Sequence, residues 1–275
     1  MGINKLNIKR KIFFVLFIFL GTATIIFFGR TPSNDRDWSN DQALLPYVVF
    51  NEDTVKIFNI RNFSYASTTD YEINYYDKTY YLDELTSIDY IVEPFEGIGA
   101  AHTFISFGFK GGEYVAISVE IRKEEGEMFS PLKGLFRSYE LMYVIADEKD
   151  VIDLRANHRK NNVYLYPVKI SDENMKAVFV DVLKRVNKLI EEPEFYNTLT
   201  NTCTTNIASH INNVSPKKVP WDIRLLLPKN SDELAYELGL IDNSFTLKDL
   251  RTKHLINDKA EMYANDLNFS KLIRQ

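Results

Sequence analysis

Among the 275 residues, one thiol, four imidazoles and the carboxylates near them are the groups with which covalent chemistry could begin. The thiol, Cys203, lies in residues 195–210 (FYNTLTNTCTTNIASH), where Thr200, Asn201 and Thr202 are each able to cap a helix that starts beside it. A cysteine in a first helical turn meets unpaired backbone N–H groups and the positive end of the helix dipole, which favour a thiolate and can hold an oxyanion. The bland alternative is a buried cysteine acting as a small hydrophobe, but the surrounding residues are polar.

A nucleophilic thiol needs a base. His210 is seven residues further along the same helix, about 10 Å of rise away and out of reach. His158 and His254 sit in polar stretches that read as solvated surface. His102 opens residues 102–109 (HTFISFGF), which precede Lys110, Gly111 and Gly112 and then residues 113–121 (EYVAISVEI), a β-hairpin pattern. With Gly111 and Gly112 alone as the turn, Ile105 would face Ser118, mixing polar with apolar residues. With a three-residue loop and a left-handed glycine, Thr103 faces Val119, Ile105 faces Ile117 and Phe107 faces Val115, and one face is continuously apolar. That register sets His102 across from Glu120, with Cβ atoms about 4.5–5.5 Å apart. The carboxylate would fix the imidazole tautomer and free the other ring nitrogen as a base. The alternative is a polar cross-strand pair on a solvated face.

The elements that must position these groups are strand-rich first and helical later. β-branched and aromatic residues mark strands over 54–60, 86–92, 102–109, 114–121, 141–145 and 163–167. Over 172–192, Met175, Val178, Phe179, Val182, Val186, Leu189 and Ile190 form one helical stripe behind a Ser171 cap. Shorter helices are expected over 204–214, over 231–238 and from 247 onward. Strands followed by helices without βαβ alternation indicate an α+β fold, an antiparallel sheet packed with helices. Residues 31–42 are polar and aperiodic, an irregular approach to a single domain over 31–275.

Charge and composition narrow the function classes. The net charge is −5, and residues 1–30 hold five basic and no acidic residues, so the remainder is strongly acidic. That argues against a nucleic-acid binder. One cysteine excludes an intrachain disulfide, and no cofactor or metal is expected. Behind Lys9, Arg10 and Lys11 an uncharged apolar run continues to Phe28, reaching roughly 26 Å as a helix. It ends in Phe27 and Phe28 rather than small residues, so an uncleaved transmembrane anchor is expected over residues 1–30. The positive-inside bias leaves the N-terminus cytoplasmic and exports residues 31–275 from the inner membrane.

Residues 92–95 (VEPF), 101–103 (AHT), 119–122 (VEIR), 130–137 (SPLKGLFR), 139–144 (YELMYV) and 195–205 (FYNTLTNTCTT) together resemble, in this order, the family named for the periplasmic N-terminal domain of the Lnb lipoprotein acyltransferases. The resemblance runs from about residue 60 to residue 211. It implies a circularly permuted relative of the NlpC/P60, papain-like thiol enzymes, with the histidine strand before the cysteine helix. It implies Cys203 as nucleophile, His102 as general base and acid, and Glu120 as the group orienting the imidazole. Arg122, Arg137, Glu140 and Asn201 are motif residues that would bind a polar headgroup or pair with one another. The implied activity is acyl transfer or hydrolysis on bacterial lipoproteins or membrane lipids. A cysteine amidase cutting cell-wall peptides and a non-catalytic envelope binding module are the alternatives.

Overall fold

The computed structural model describes residues 10–18, 21 and 29–275. The expected membrane anchor falls largely outside the described residues; residues 10–18 are helical, with Phe13, Phe14 and Phe17 exposed. Among the described residues no helix is long and apolar enough to cross a membrane.

The β-prone first part of the chain gives β1 (Tyr47–Phe50), β2 (Thr54–Arg61), β3 (Ser64–Tyr65), β4 (Tyr71–Glu72), β5 (Tyr75–Tyr81), β6 (Leu85–Pro94), β7 (Ala101–Phe109), β8 (Glu113–Arg122), β9 (Glu140–Asp147) and β10 (Tyr164–Pro167). Eight strands form one sheet in the order β1-β2-β9-β8-β7-β6-β10, with β5 paired to β2, while β3 and β4 make a separate small ribbon. Pairing is antiparallel except where β2 meets β9 in parallel at Arg61 and Ala146. The central hairpin adopts the expected register: Ile105 pairs with Ile117 and Phe107 with Val115. Its turn needs both glycines, since Gly111 and Gly112 have φ of +85° and +83°, where side chains with a Cβ are strained.

The helices are α1 (Pro131–Leu135), α2 (Glu148–Asp153), α3 (Asp172–Glu191), α4 (Cys203–Val214), α5 (Ser231–Glu237), α6 (Leu247–His254), α7 (Asn257–Met262) and α8 (Phe269–Leu272), with a π-helical turn at Leu154–His158. Ser171 caps α3 as expected, its side chain accepting from the Asn174 N–H. The α3 stripe is buried, but Leu183 joins it and Ile190 does not: it is 38% exposed, because the helix ends at Glu191. Phe179 from this stripe packs its ring 4.7 Å from Phe107 and 5.6 Å from Phe109, which fastens α3 to β7.

Odd-numbered residues of β7 and β8, such as Ile105, Phe107, Val115 and Ile117, join the core formed with α3 and α4. Even-numbered Phe104 and Ala116 join a second core with α2, α7 and α8. The hairpin is therefore covered on both faces, which disposes of the alternative that His102 and Glu120 pair on a solvated face. Residues 31–42 are irregular but docked. Trp38 is buried under the Arg122 guanidinium, 4.2 Å from its ring, and the Asn34 amide donates to the Leu189 and Ile190 carbonyls.

Candidate active site

Of the three possible caps, Thr202 is the one used. Its hydroxyl accepts from the Thr205 N–H and the Thr205 hydroxyl accepts from the Thr202 N–H, a reciprocal box that starts α4 at Cys203. The thiol thus occupies the first helical position. There the N–H groups of Cys203 and Thr204 have no intrahelical acceptor and point out of the helix end. Asn201 contributes differently, since its Nδ2 donates to the Phe195 carbonyl and its Oδ1 accepts from Asn206, which shapes the loop leading into the helix.

His102 stands at the beginning of β7, on the even-numbered face, while Cys203 arrives with α4 from the odd-numbered face. They meet at the end of the strand, close enough for the charge of each to shift the titration of the other. His102 Nε2 lies 3.1 Å from Glu120 Oε1 and 2.7 Å from Ser118 Oγ, and the Ser118 hydroxyl donates to the same Glu120 oxygen at 2.7 Å. With Nε2 occupied, Nδ1 is the nitrogen left for the thiol.

A buried arginine completes this array. Arg155, on the π-helical turn, places Nη2 3.0 Å from Glu120 Oε1 and Nε 2.9 Å from Glu93 Oε2, and its guanidinium lies over the Phe104 ring. Glu93 is fully buried on β6, directly across from His102, and also accepts from the Asn161 amide. Two carboxylates thus flank the histidine strand and one guanidinium bridges them, with Arg159 Nη1 also 3.7 Å from Glu93 and His102 beside Glu120.

The electrostatics follow from these contacts. Burial alone would raise the Cys203 thiol, but the charge of His102 and its hydrogen bond, with hydrogen bonds from Thr103, bring it down to about 7. Burial would depress the His102 imidazolium, yet the charges of Glu120 and of the thiolate raise it to about 10. Desolvation works against the Glu120 carboxylate, but His102, Arg155 and Ser118 hold it well below the ordinary range. Near neutral pH the arrangement favours a thiolate–imidazolium pair.

The structure brings Cys203, His102 and Glu120 together; the other motif residues do structural work. Arg122 is buried and donates to the Gln42 and Ala43 carbonyls and to Asn34. Glu140, its cross-strand partner, pairs with Arg36 at 2.8 Å. Arg137, with φ of +53°, stacks toward Phe195, and its carbonyl accepts from Arg30. The remaining histidines are more embedded than their polar neighbours imply. His158 pairs with Asp153 at 3.2 Å and His254 Nδ1 donates to the Leu165 carbonyl at 2.8 Å. His210 is buried between Asp181 and Tyr143, at 2.7 Å from each.

Ser118, Arg155 and Glu93 were not found by sequence reasoning. Ser118 was within reach of it, being two residues before Glu120 and therefore on the same strand face. Nothing local marks Arg155, which is brought in by a turn after β9.

An α+β sheet with a helix-start thiol at its edge, and a histidine and a glutamate on neighbouring strands, has the features of a cysteine-centred protein rather than a metal or nucleotide site. The family model of the Lnb N-terminal periplasmic domain matches residues 71–229, which includes all of these groups, and the chain belongs to that family. No curated protein and no solved structure gives a match.

Proposed function

We propose that this chain is a membrane-anchored, periplasmic thiol acyltransferase or acyl hydrolase working on the acyl groups of lipoproteins or membrane lipids, with a circularly permuted papain-like arrangement. The observation that carries the reading is the Cys203–His102–Glu120 constellation at the start of α4. The Cys203 thiolate attacks an ester carbonyl, and the N–H groups of Cys203 and Thr204 receive the oxyanion. His102 gives its proton to the departing alcohol, which leaves a thioester on Cys203. An amine or water then attacks the thioester; His102 takes its proton, and the thiolate is regenerated with an amide or a free acid as product.

An apolar cleft favours a fatty acyl chain over a wall peptide. It lies between α4, α5 and the sheet and is lined by Ile105, Ile207, Ala208, Leu234 and Ala235, with Thr204, the residue after the nucleophile, also on its wall. A peptide site would present several polar groups, and here few are present. The N-terminal apolar segment supports anchoring, and the family's description supports a periplasmic location.

The test uses the full chain in detergent with a synthetic diacylglyceryl lipopeptide bearing a free N-terminal amine. Loss of one ester-linked acyl chain, with its appearance on the amine or as free acid, is expected for wild type and not for Cys203→Ser. Cleavage of a wall peptide with the lipopeptide left intact would favour an amidase. No turnover of either would favour a binding module.

A further inference from the structure

We infer that the loops around the Cys203 site form a bilayer-docking face, so that the thiol works at the lipid surface instead of at a distance from it. The inference rests on the anchored reading above and specifies its geometry.

Large apolar side chains are exposed on the loops nearest the thiol. Ile98, in the loop before His102, is 95% exposed; Leu199, four residues before Cys203, is 54% exposed; Trp221 is 76% exposed. Phe129, Leu132 and Phe136, on and beside α1, are also exposed. These loops touch in two pairs. The Lys229 N–H, from the segment that carries Trp221, donates to the Gly99 carbonyl, and Leu227 packs against Gly99. The Thr198 hydroxyl donates to the Pro131 carbonyl, which joins the loop before Cys203 to α1. A soluble surface rarely gathers this much apolar area, and rims of this kind mark contact with lipid or protein.

The path of the chain selects lipid. Arg30, the first residue after the apolar N-terminal run, donates to the Arg137 carbonyl and the Ser138 hydroxyl, next to Phe136. On the anchored reading, the bilayer that holds the segment before Arg30 would lie beside this rim. Residues 215–230 add Lys217, Lys218 and Lys229, and Arg224, which is paired with Asp222 and Glu237, in a chain that is acidic overall. Basic residues beside a tryptophan suit the anionic headgroup region.

The two tryptophans make the proposal measurable, because Trp38 is buried beneath Arg122 and Trp221 is exposed. Full-length chain is reconstituted into phosphatidylethanolamine–phosphatidylglycerol vesicles, with some lipids brominated near the headgroup end of the acyl chain, and tryptophan emission is compared with unbrominated vesicles. A side chain about 5–10 Å into the interface lies at the depth of the bromines and is expected to lose emission measurably. Trp221→Phe should abolish that quenching. Replacing Phe129, Leu132 and Phe136 together by Ser should reduce it while leaving the protein in the vesicles. Protein that floats with the vesicles but shows unquenched Trp221, or Trp221 shielded by a second copy of the chain, would overturn the docking face. Protein that fails to float would instead overturn the anchored reading beneath it.

Discussion

His102 Nε2 sits 3.1 Å from Glu120 Oε1, across a strand pair whose register is fixed by a three-residue turn roughly 25 Å further along the hairpin. The turn thereby determines the chemistry, since a slip by one residue would move Glu120 to the opposite face of the sheet. The glutamate engages Nε2 of the imidazole and leaves Nδ1 free of it, the division of labour a thiol nucleophile requires.

The thiol should titrate early. With Cys203 held at about 7 by His102, its alkylation rate by iodoacetamide should rise with pH through that value and plateau above it. In His102→Ala the lowering charge is gone while burial remains, so the midpoint should move upward, past the ordinary value of about 8.5. An unchanged midpoint would mean that the pair is not coupled.

Arg155 should matter as a positioning residue. Arg155→Gln removes a charge that stabilises Glu120 and leaves buried Glu93 with only the longer Arg159 pair at 3.7 Å, a defect worth up to about 3–5 kcal/mol. Arg155→Lys keeps the charge but not the two-carboxylate fork. In the lysine variant kcat should fall about tenfold to a hundredfold with little change in KM, because the imidazole is less well aimed. Equal kcat with reduced melting temperature would assign Arg155 to stability alone.

Ala208 and Ala235 keep the apolar cleft open by being small. Ala208→Phe should lower kcat/KM for long-chain acyl substrates about tenfold or more relative to short-chain ones, and the Cys203 alkylation profile should stay where it is. Equal loss for both chain lengths would show that the acyl chain lies elsewhere.

The histidine of α4 should behave differently from that of β7. His210→Gln disturbs its bonds to Asp181 and Tyr143 and should cost about 1–2 kcal/mol in urea denaturation while thiol reactivity is unchanged. Burial holds the His210 imidazole below its ordinary range, against the raising effect of Asp181. Its folded pKa is therefore below the unfolded one. Its contribution to stability is present above about pH 6.5 and declines as pH falls below that, since the unfolded chain then binds the proton more readily. The variant should lack this part of the acid destabilisation.

Much of this site was readable from periodicity. The alternation in residues 103–119 could bury one stripe in only one register, and that register found Glu120. The Thr-rich run before Cys203 announced a helix start, and the structure chose Thr202 because Thr205 reciprocates its hydrogen bond. What stayed hidden depends on distant chain. β1 and β5 have short or exposed, polar-interrupted faces and owe their pairing to β2. The cover over the His102 face comes from α2, α7 and α8, short helices without a strong stripe of their own. Arg122 and Glu140, motif residues expected to bind a headgroup or pair with one another, stand opposite each other in the sheet and hold residues 33–43 against it, contacts that only the folded chain reveals.

The central claim is that Cys203 carries an acyl group between donor and acceptor. Its most direct measurement is the intact mass of the full-length protein, rapidly quenched in acid after exposure to a diacylglyceryl lipopeptide whose amine is blocked. A mass increase of one fatty acyl group, removed by neutral hydroxylamine and absent from Cys203→Ser, is the predicted result. An unmodified Cys203 under conditions where the lipopeptide is deacylated, or an adduct that persists in Cys203→Ser, would contradict it.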